Sequence, residues 1–167
     1  MANHCPKTFI HRLFHLTLVV LGLPLIGVFI FYFNHGENFI LKISGIILLI
    51  FSVFLAWLTV YMFRKEGGVV KGESFVKTTK LVDSGIYSIV RHPQYLSGIL
   101  LGFSFVLISQ HWLVLILAIP FMFIFYIAAL DEDRHCIREF GESYREYIKV
   151  VPRINLISGI ARYLLSK

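Results

Sequence analysis

Residues 112–130 read WLVLILAIPFMFIFYIAAL, nineteen positions without a charge, and run directly into Asp131-Glu132-Asp133. Crossing about 30 Å of hydrocarbon at about 1.5 Å per residue takes roughly 20 apolar residues. This stretch therefore predicts a membrane-spanning helix that leaves the bilayer at its acidic triplet. Working outward, Leu16 to Phe33 is a second apolar run, interrupted only by Thr17, Gly22, Pro24 and Gly27. Phe39 to Phe63 is a third, with Lys42 near its start, where a long amine can reach the interface. Tyr95 to Ile108 is shorter, and only Ser109-Gln110-His111 separates it from Trp112, which predicts a tight helical hairpin with one short arm. The expected fold is an all-α integral membrane protein of one domain, residues 1–167, with four transmembrane helices at about 16–33, 39–63, 95–108 and 112–130.

Composition agrees. The chain is 57% apolar and 16% charged, with a mean hydropathy of +0.74. A soluble domain carries about a quarter charged residues. Twelve Gly, five Pro and two Cys exclude collagen, low-complexity disorder and a disulfide-stapled secreted domain.

The basic residues are placed unevenly. Lys7 and Arg12 precede the first run, and neither 34–38 nor 109–111 holds a Lys or Arg. Arg64, Lys65, Lys71, Lys77, Lys80 and Arg91 lie between the second and third spans. Arg134, Arg138, Arg145, Lys149, Arg153, Arg162 and Lys167 follow Leu130. The positive-inside rule then predicts a multi-pass protein with both termini and the middle loop in the cytoplasm. The first run is too long for a cleaved leader, and Asn34-His35-Gly36-Glu37 has no small-residue cleavage site. Cys5 and Cys136 fall on the reducing side, so no disulfide is expected. A net charge of +6 flanking apolar helices suits an anionic leaflet better than nucleic acid.

Polar, chemically varied residues concentrate in 64–98 and 131–153, two segments expected on one membrane face. Asp83-Ser84-Gly85 is turn chemistry, and Pro93 suits the first turn of the third helix. Arg91 and His92 precede that helix N-terminus, whose free amides favour an anion; an ordinary interfacial loop is the plainer alternative. Ile137, Phe140, Tyr144, Ile148 and Val151 recur at three and four, as one face of an amphipathic helix. The acidic triplet before it is either simply solvated or holds a carboxylate for a ligand bearing hydroxyls or positive charge. His135-Cys136 lacks a second pair at metal-ligand spacing, and no metal is expected. Pro24 and Pro120 read as bends in membrane helices. Residues 154–167 put Ile157, Ile160, Ala161, Leu164 and Leu165 on one stripe, with Arg162 and Lys167 available to headgroups, which predicts an interfacial helix.

Gly85-x-Tyr87 followed by Arg91-His92-Pro93-x-Tyr95 resembles the cofactor motif of the isoprenylcysteine carboxyl methyltransferase family. Glu132-Asp133, Phe140-Gly141-x-x-Tyr144-x-x-Tyr147 and Val151-Pro152-Arg153 resemble that family's C-terminal signature, and phospholipid N-methyltransferases share the layout. The resemblance covers about 64–153. It implies an S-adenosylmethionine pocket on the cytoplasmic side, built from 79–98 and 131–153, capped by C-terminal amphipathic helices and open laterally to a lipophilic or prenylated acceptor from the bilayer. By the resemblance Leu81, Val82, Tyr87, His92, Pro93, Tyr95 and Glu132 line the cofactor. Glu132, Arg91 and Arg153 are the candidate catalytic groups, the two arginines near the cofactor carboxylate or an anionic acceptor group. The implied reaction is most like prenylcysteine carboxyl O-methylation. The alternatives are phospholipid N-methylation, thiol S-methylation and, outside catalysis, a membrane carrier or assembly partner. Three positions depart from the pattern: Ser97 for a Gly, Asp133 for the second Glu, and Ala128 where the prenylcysteine enzymes place an Arg.

Overall fold

The computed structural model describes residues 9–68 and 80–165, and all regular structure among them is helical. Helix α1 spans Phe9–Phe31, α2 Phe39–Glu66, α3 Pro93–Ser109, α4 Trp112–Phe140, α5 Glu142–Val150 and α6 Leu156–Leu165, with a single 3-10 turn at Gly85–Ser88. Cys5, Lys7, Lys71, Lys77, Thr79 and Lys167, which entered the sequence expectations, lie outside the described residues.

Helices α2 and α4, of 28 and 29 residues, are long and apolar enough to cross a membrane. Their large side chains are not stored in a protein core: Ile47, Trp57 and Phe123 are each about 60% exposed. So much contiguous apolar surface is not tolerated in water. The chain is an all-helical, membrane-associated protein.

Among the described residues, one compact unit comprises 9–50 and 98–131. Its core is Leu25, Phe29, Phe105, Ile108, Val114, Ala118 and Phe121, with the rings of Phe29 and Phe105 stacked at 4.1 Å. The expected hairpin between α3 and α4 is present. Gln110 turns it in the left-handed region (φ 50°), a strained position for a non-glycine. Its side chain then clamps the loop after α1: Asn38 N donates to Oε1 at 3.1 Å, and Nε2 donates to the Asn38 carbonyl at 2.8 Å.

Among the described residues, the other unit comprises 51–68, 80–97 and 132–165. Met62, Val82 and Tyr87 form its small apolar cluster, with Leu58, Phe63 and Ile86 against them. Here one expectation needs correction. The amphipathic helix read over 134–151 is two helices, because α4 continues past the acidic triplet to Phe140 and Gly141 adopts φ 59° before α5 begins. A left-handed residue ends an α-helix, and glycine takes that conformation without a Cβ penalty. The apolar face survives the break, with Tyr144 and Val151 both buried. The helix expected within 154–167 is α6, and its Ile157, Ile160, Leu164 and Leu165 are exposed.

Candidate functional site

Pro93 opens α3 as its first residue, where a missing N–H costs nothing. Arg91 and His92, immediately before it, are both buried. Arg91 N donates to the Pro152 carbonyl and His92 N to the Arg153 carbonyl, both at 3.0 Å. Thus the Arg91-His92-Pro93 and Val151-Pro152-Arg153 motifs are fastened backbone to backbone.

Their side chains converge on Asp133, itself 5% exposed. His92 Nε2 lies 2.7 Å from Oδ1, and the Tyr144 hydroxyl donates to the same oxygen at 2.7 Å. Arg153 Nε and Arg91 Nη2 donate to Oδ2 at 2.7 and 3.2 Å. Burial raises the pKa of Asp133, but the hydrogen bond and charge of His92, with bonds from Arg153 and Tyr144, outweigh it and hold the carboxyl well below the usual range. A buried carboxylate is tolerated only when paired and hydrogen-bonded on this scale. Arg91 also donates from Nη1 to the Ile148 carbonyl at 3.0 Å, while its Nε is buried with no hydrogen-bond partner among the described residues.

Glu132 stands one residue earlier on α4, half-buried. The Tyr95 hydroxyl donates to its Oε2 at 3.2 Å, and the Cys136 thiol lies 3.9 Å from Oε1. Burial, then the charge of Glu132, pushes the Cys136 thiol far up and favours its neutral form. Burial likewise keeps Tyr144 and Tyr147 as neutral phenols able to donate. The Tyr147 hydroxyl donates to the Tyr87 carbonyl at 2.6 Å and so fastens α5 to the 3-10 turn. Tyr87 itself stacks on Phe63 at 5.2 Å, beside Val82 and Met62, with Leu81 half-buried next along the chain. Ser97 is buried. Its hydroxyl donates to the Gln94 carbonyl and its own carbonyl accepts from Ser52, each at 2.7 Å.

The structure therefore brings Arg91, His92 and Arg153 together on Asp133, sets Tyr95 against Glu132, and places Val82 and Tyr87 in the neighbouring apolar cluster. Arg91 and Arg153 are both ion-pair partners of the buried Asp133 carboxylate. Asp133 as the common acceptor was missed, and so were Tyr144 and Tyr147 as ties. The signal was there in part: two basic motifs flanking one acidic pair invite a charge balance.

These residues fit S-adenosylmethionine. The half-buried Glu132 carboxylate can take hydroxyls or an ammonium, the unpartnered Nε of Arg91 can serve a carboxylate, and tyrosine rings suit adenine and a cationic sulfur. The phospholipid methyltransferase family model matches residues 40–143. The match takes in the Arg91-His92-Pro93 motif and the Glu132-Asp133 pair, and stops short of Tyr144, Tyr147 and Arg153, which the structure ties back to them. No curated protein and no solved structure matches the chain. The family consists of membrane methyltransferases, related to the isoprenylcysteine enzymes, that draw their methyl group from S-adenosylmethionine and act on lipid-like substrates. On that match, joined to the helices and site described above, the chain belongs to the phospholipid methyltransferase family.

Proposed function

We propose that this protein spans the membrane four times, with both termini cytoplasmic, and methylates a lipophilic acceptor that reaches the site from the bilayer. The observation that carries the assignment of roles is the pairing of two carboxylates one residue apart. Asp133 is saturated by four side chains, whereas among the described residues Glu132 is held by two neutral groups, the Tyr95 hydroxyl and the Cys136 thiol. Adjacent positions on a helix point about 100° apart, so the two acids serve different neighbours. Glu132 is the cofactor-binding carboxylate, and Leu81, Val82, Tyr87, His92, Pro93 and Tyr95 complete the cofactor wall. Arg91 offers its remaining Nε–H to a carboxylate. Arg153 is a positioning residue that locks Asp133.

The bound cofactor supplies an electrophilic methyl on a sulfonium, transferred by in-line displacement, so the protein contributes mainly orientation and electrostatics. Among acceptors, a phospholipid amine fits best. The family match supports it, and Ala128 presents a buried methyl where a prenylcysteine carboxylate would want an Arg. An ammonium must lose its proton before it can attack. His92 Nε2 is occupied by Asp133, which leaves Glu132 as the carboxylate to accept that proton.

Two measurements test this. In calorimetry on the detergent-purified full chain, Glu132→Gln weakens S-adenosylmethionine binding at least tenfold, about 1.4 kcal/mol; unchanged affinity removes Glu132 from the site. With tritiated methyl donor and native lipid extract, label enters an organic-extractable product, and mass spectrometry of that product distinguishes amine, ester and thioether. Label confined to a water-soluble product refutes acceptor access from the bilayer.

A further inference from the structure

Helices α5 and α6 and the turn between them enclose an open cavity of about 340 Å³, lined by Lys149, Val151, Pro152, Ser158 and Arg162 among others. Two cations and one hydroxyl line it, and no carboxylate does among the described residues. Lys149 is exposed and shares its charge with Glu146 at 2.6 Å. Arg162 differs: one terminal nitrogen donates to the Ser88 carbonyl, while its Nε is buried with no hydrogen-bond partner among the described residues. A buried donor on a cationic group left without an acceptor is unfavourable, and an anionic acceptor within its reach would relieve it.

The cavity's wall is fixed. Gly159 sits on the Ile89 carbonyl so closely that a Cβ has no room, which seats α6 against the loop before α3. At about 100° per residue, Ser158 and Arg162 share one edge of α6, and Ile160, Leu164, Ile157 and Leu165 follow around the adjoining side. Those four are exposed, Ile157 and Leu165 by more than 80%. A single short helix therefore offers a cationic edge beside an apolar side. That combination suits a molecule with an oxyanion at one end and hydrocarbon at the other.

We propose that this cavity holds the phosphate of a membrane phospholipid, with Arg162 and Lys149 as its cationic donors and Ser158, whose hydroxyl donates to the Asn155 carbonyl at 3.2 Å, at its edge, while the apolar side of α6 lies among the acyl chains. This goes beyond methyl transfer and does not depend on the cofactor site: a lipid held here anchors α6 at the surface whether or not it is an acceptor.

Native mass spectrometry of the full chain released from a neutral detergent tests the site, with dioleoylphosphatidylglycerol, dioleoylglycerol and inorganic phosphate as separate probes. The expected result is selective retention of the phospholipid, reduced at least tenfold by Arg162→Gln and by Ser158→Asp. Because Arg162 also serves Ser88, Ser158→Asp is the decisive variant. It puts a repelling carboxylate in the cavity while suiting the first turn of a helix, and circular dichroism verifies that the fold is kept. Equal retention of dioleoylglycerol, or unchanged phospholipid retention in Ser158→Asp, overturns the proposal. Inorganic phosphate bound as well as the phospholipid, with the same sensitivity to both variants, overturns the lipid assignment and makes the cavity a free-phosphate site.

Discussion

Replacing Asp133 by Asn removes one charge and almost no volume, and it should cost far more than a surface substitution. Four side-chain bonds meet on this carboxylate within 2.7–3.2 Å. Asn can accept on one oxygen only, and its amide donor is set against guanidinium donors. Arg153 is a third exposed, so water recovers part of its loss. Arg91 is 7% exposed and cannot be rehydrated in place. Stranding a buried partner in this way typically costs about 3–5 kcal/mol. Total stabilities are only about 5–15 kcal/mol, so the variant keeps a fraction of its margin. At roughly 2–4 °C per kcal/mol for a chain of this size, the melting temperature falls by about 6–20 °C. Scanning fluorimetry in detergent reads this directly. The control is Asp133→Leu with Arg91→Met, which removes both charges and should be less destabilised than Asp133→Asn. An Asn variant melting within a degree of the parent, or a double variant whose losses simply add, refutes the claim that Asp133 is the electrostatic centre.

Two further outcomes follow from the same geometry. Because its folded pKa is depressed, Asp133 stabilises the fold fully above the ordinary carboxylate value near 4, and that contribution is lost as pH falls through the folded value. The melting-temperature gap between parent and Asp133→Asn should therefore be constant from pH 7 to about 5 and shrink in stronger acid; a gap that widens there contradicts the assignment. Tyr147→Phe deletes the 2.6 Å bond to the Tyr87 carbonyl and should cost about 1 kcal/mol, with faster amide hydrogen exchange in the 85–89 turn while α3 is unaffected.

Helices were legible where the chain is monotonous. Apolar runs in 39–63 and 112–130 leave helix as the only way to satisfy the backbone in hydrocarbon, and α2 and α4 cover both. The polar segment was less legible because periodicity reports a face and not continuity. Ile137, Phe140, Tyr144, Ile148 and Val151 keep their spacing across Gly141, so the 3.6-residue signal passed through a real break. A glycine followed by a new acidic first turn, Glu142, was the local mark of it. Within the site, the motifs told which residues gather but not how they pair. Arg91 and Asp133 are 42 residues apart, and Arg153 lies 20 beyond. Nothing local distinguishes Asp131, Glu132 and Asp133 as targets. Only tertiary placement decides that the third acid takes the cations while the second faces Tyr95.

That division of labour has a consequence separable by experiment. A reaction that depends on positioning needs one group that does not move and another that is free to engage a ligand. Asp133, with every oxygen engaged and its partners drawn from the loop before α3, from α5 and from the chain after α5, meets the first requirement. Glu132, half-buried and restrained by a hydroxyl and a weak thiol contact, meets the second. The two carboxylates should therefore fail in opposite ways. Asp133→Asn lowers the melting temperature by the margin worked out above, whether or not cofactor is present. Glu132→Gln leaves the melting temperature of the ligand-free protein nearly unchanged and abolishes the rise that S-adenosylmethionine produces, since a ligand stabilises only in proportion to its binding. Two variants with the same profile would mean that the adjacent acids act as one unit, and the separation of scaffold from ligand contact would have to be given up.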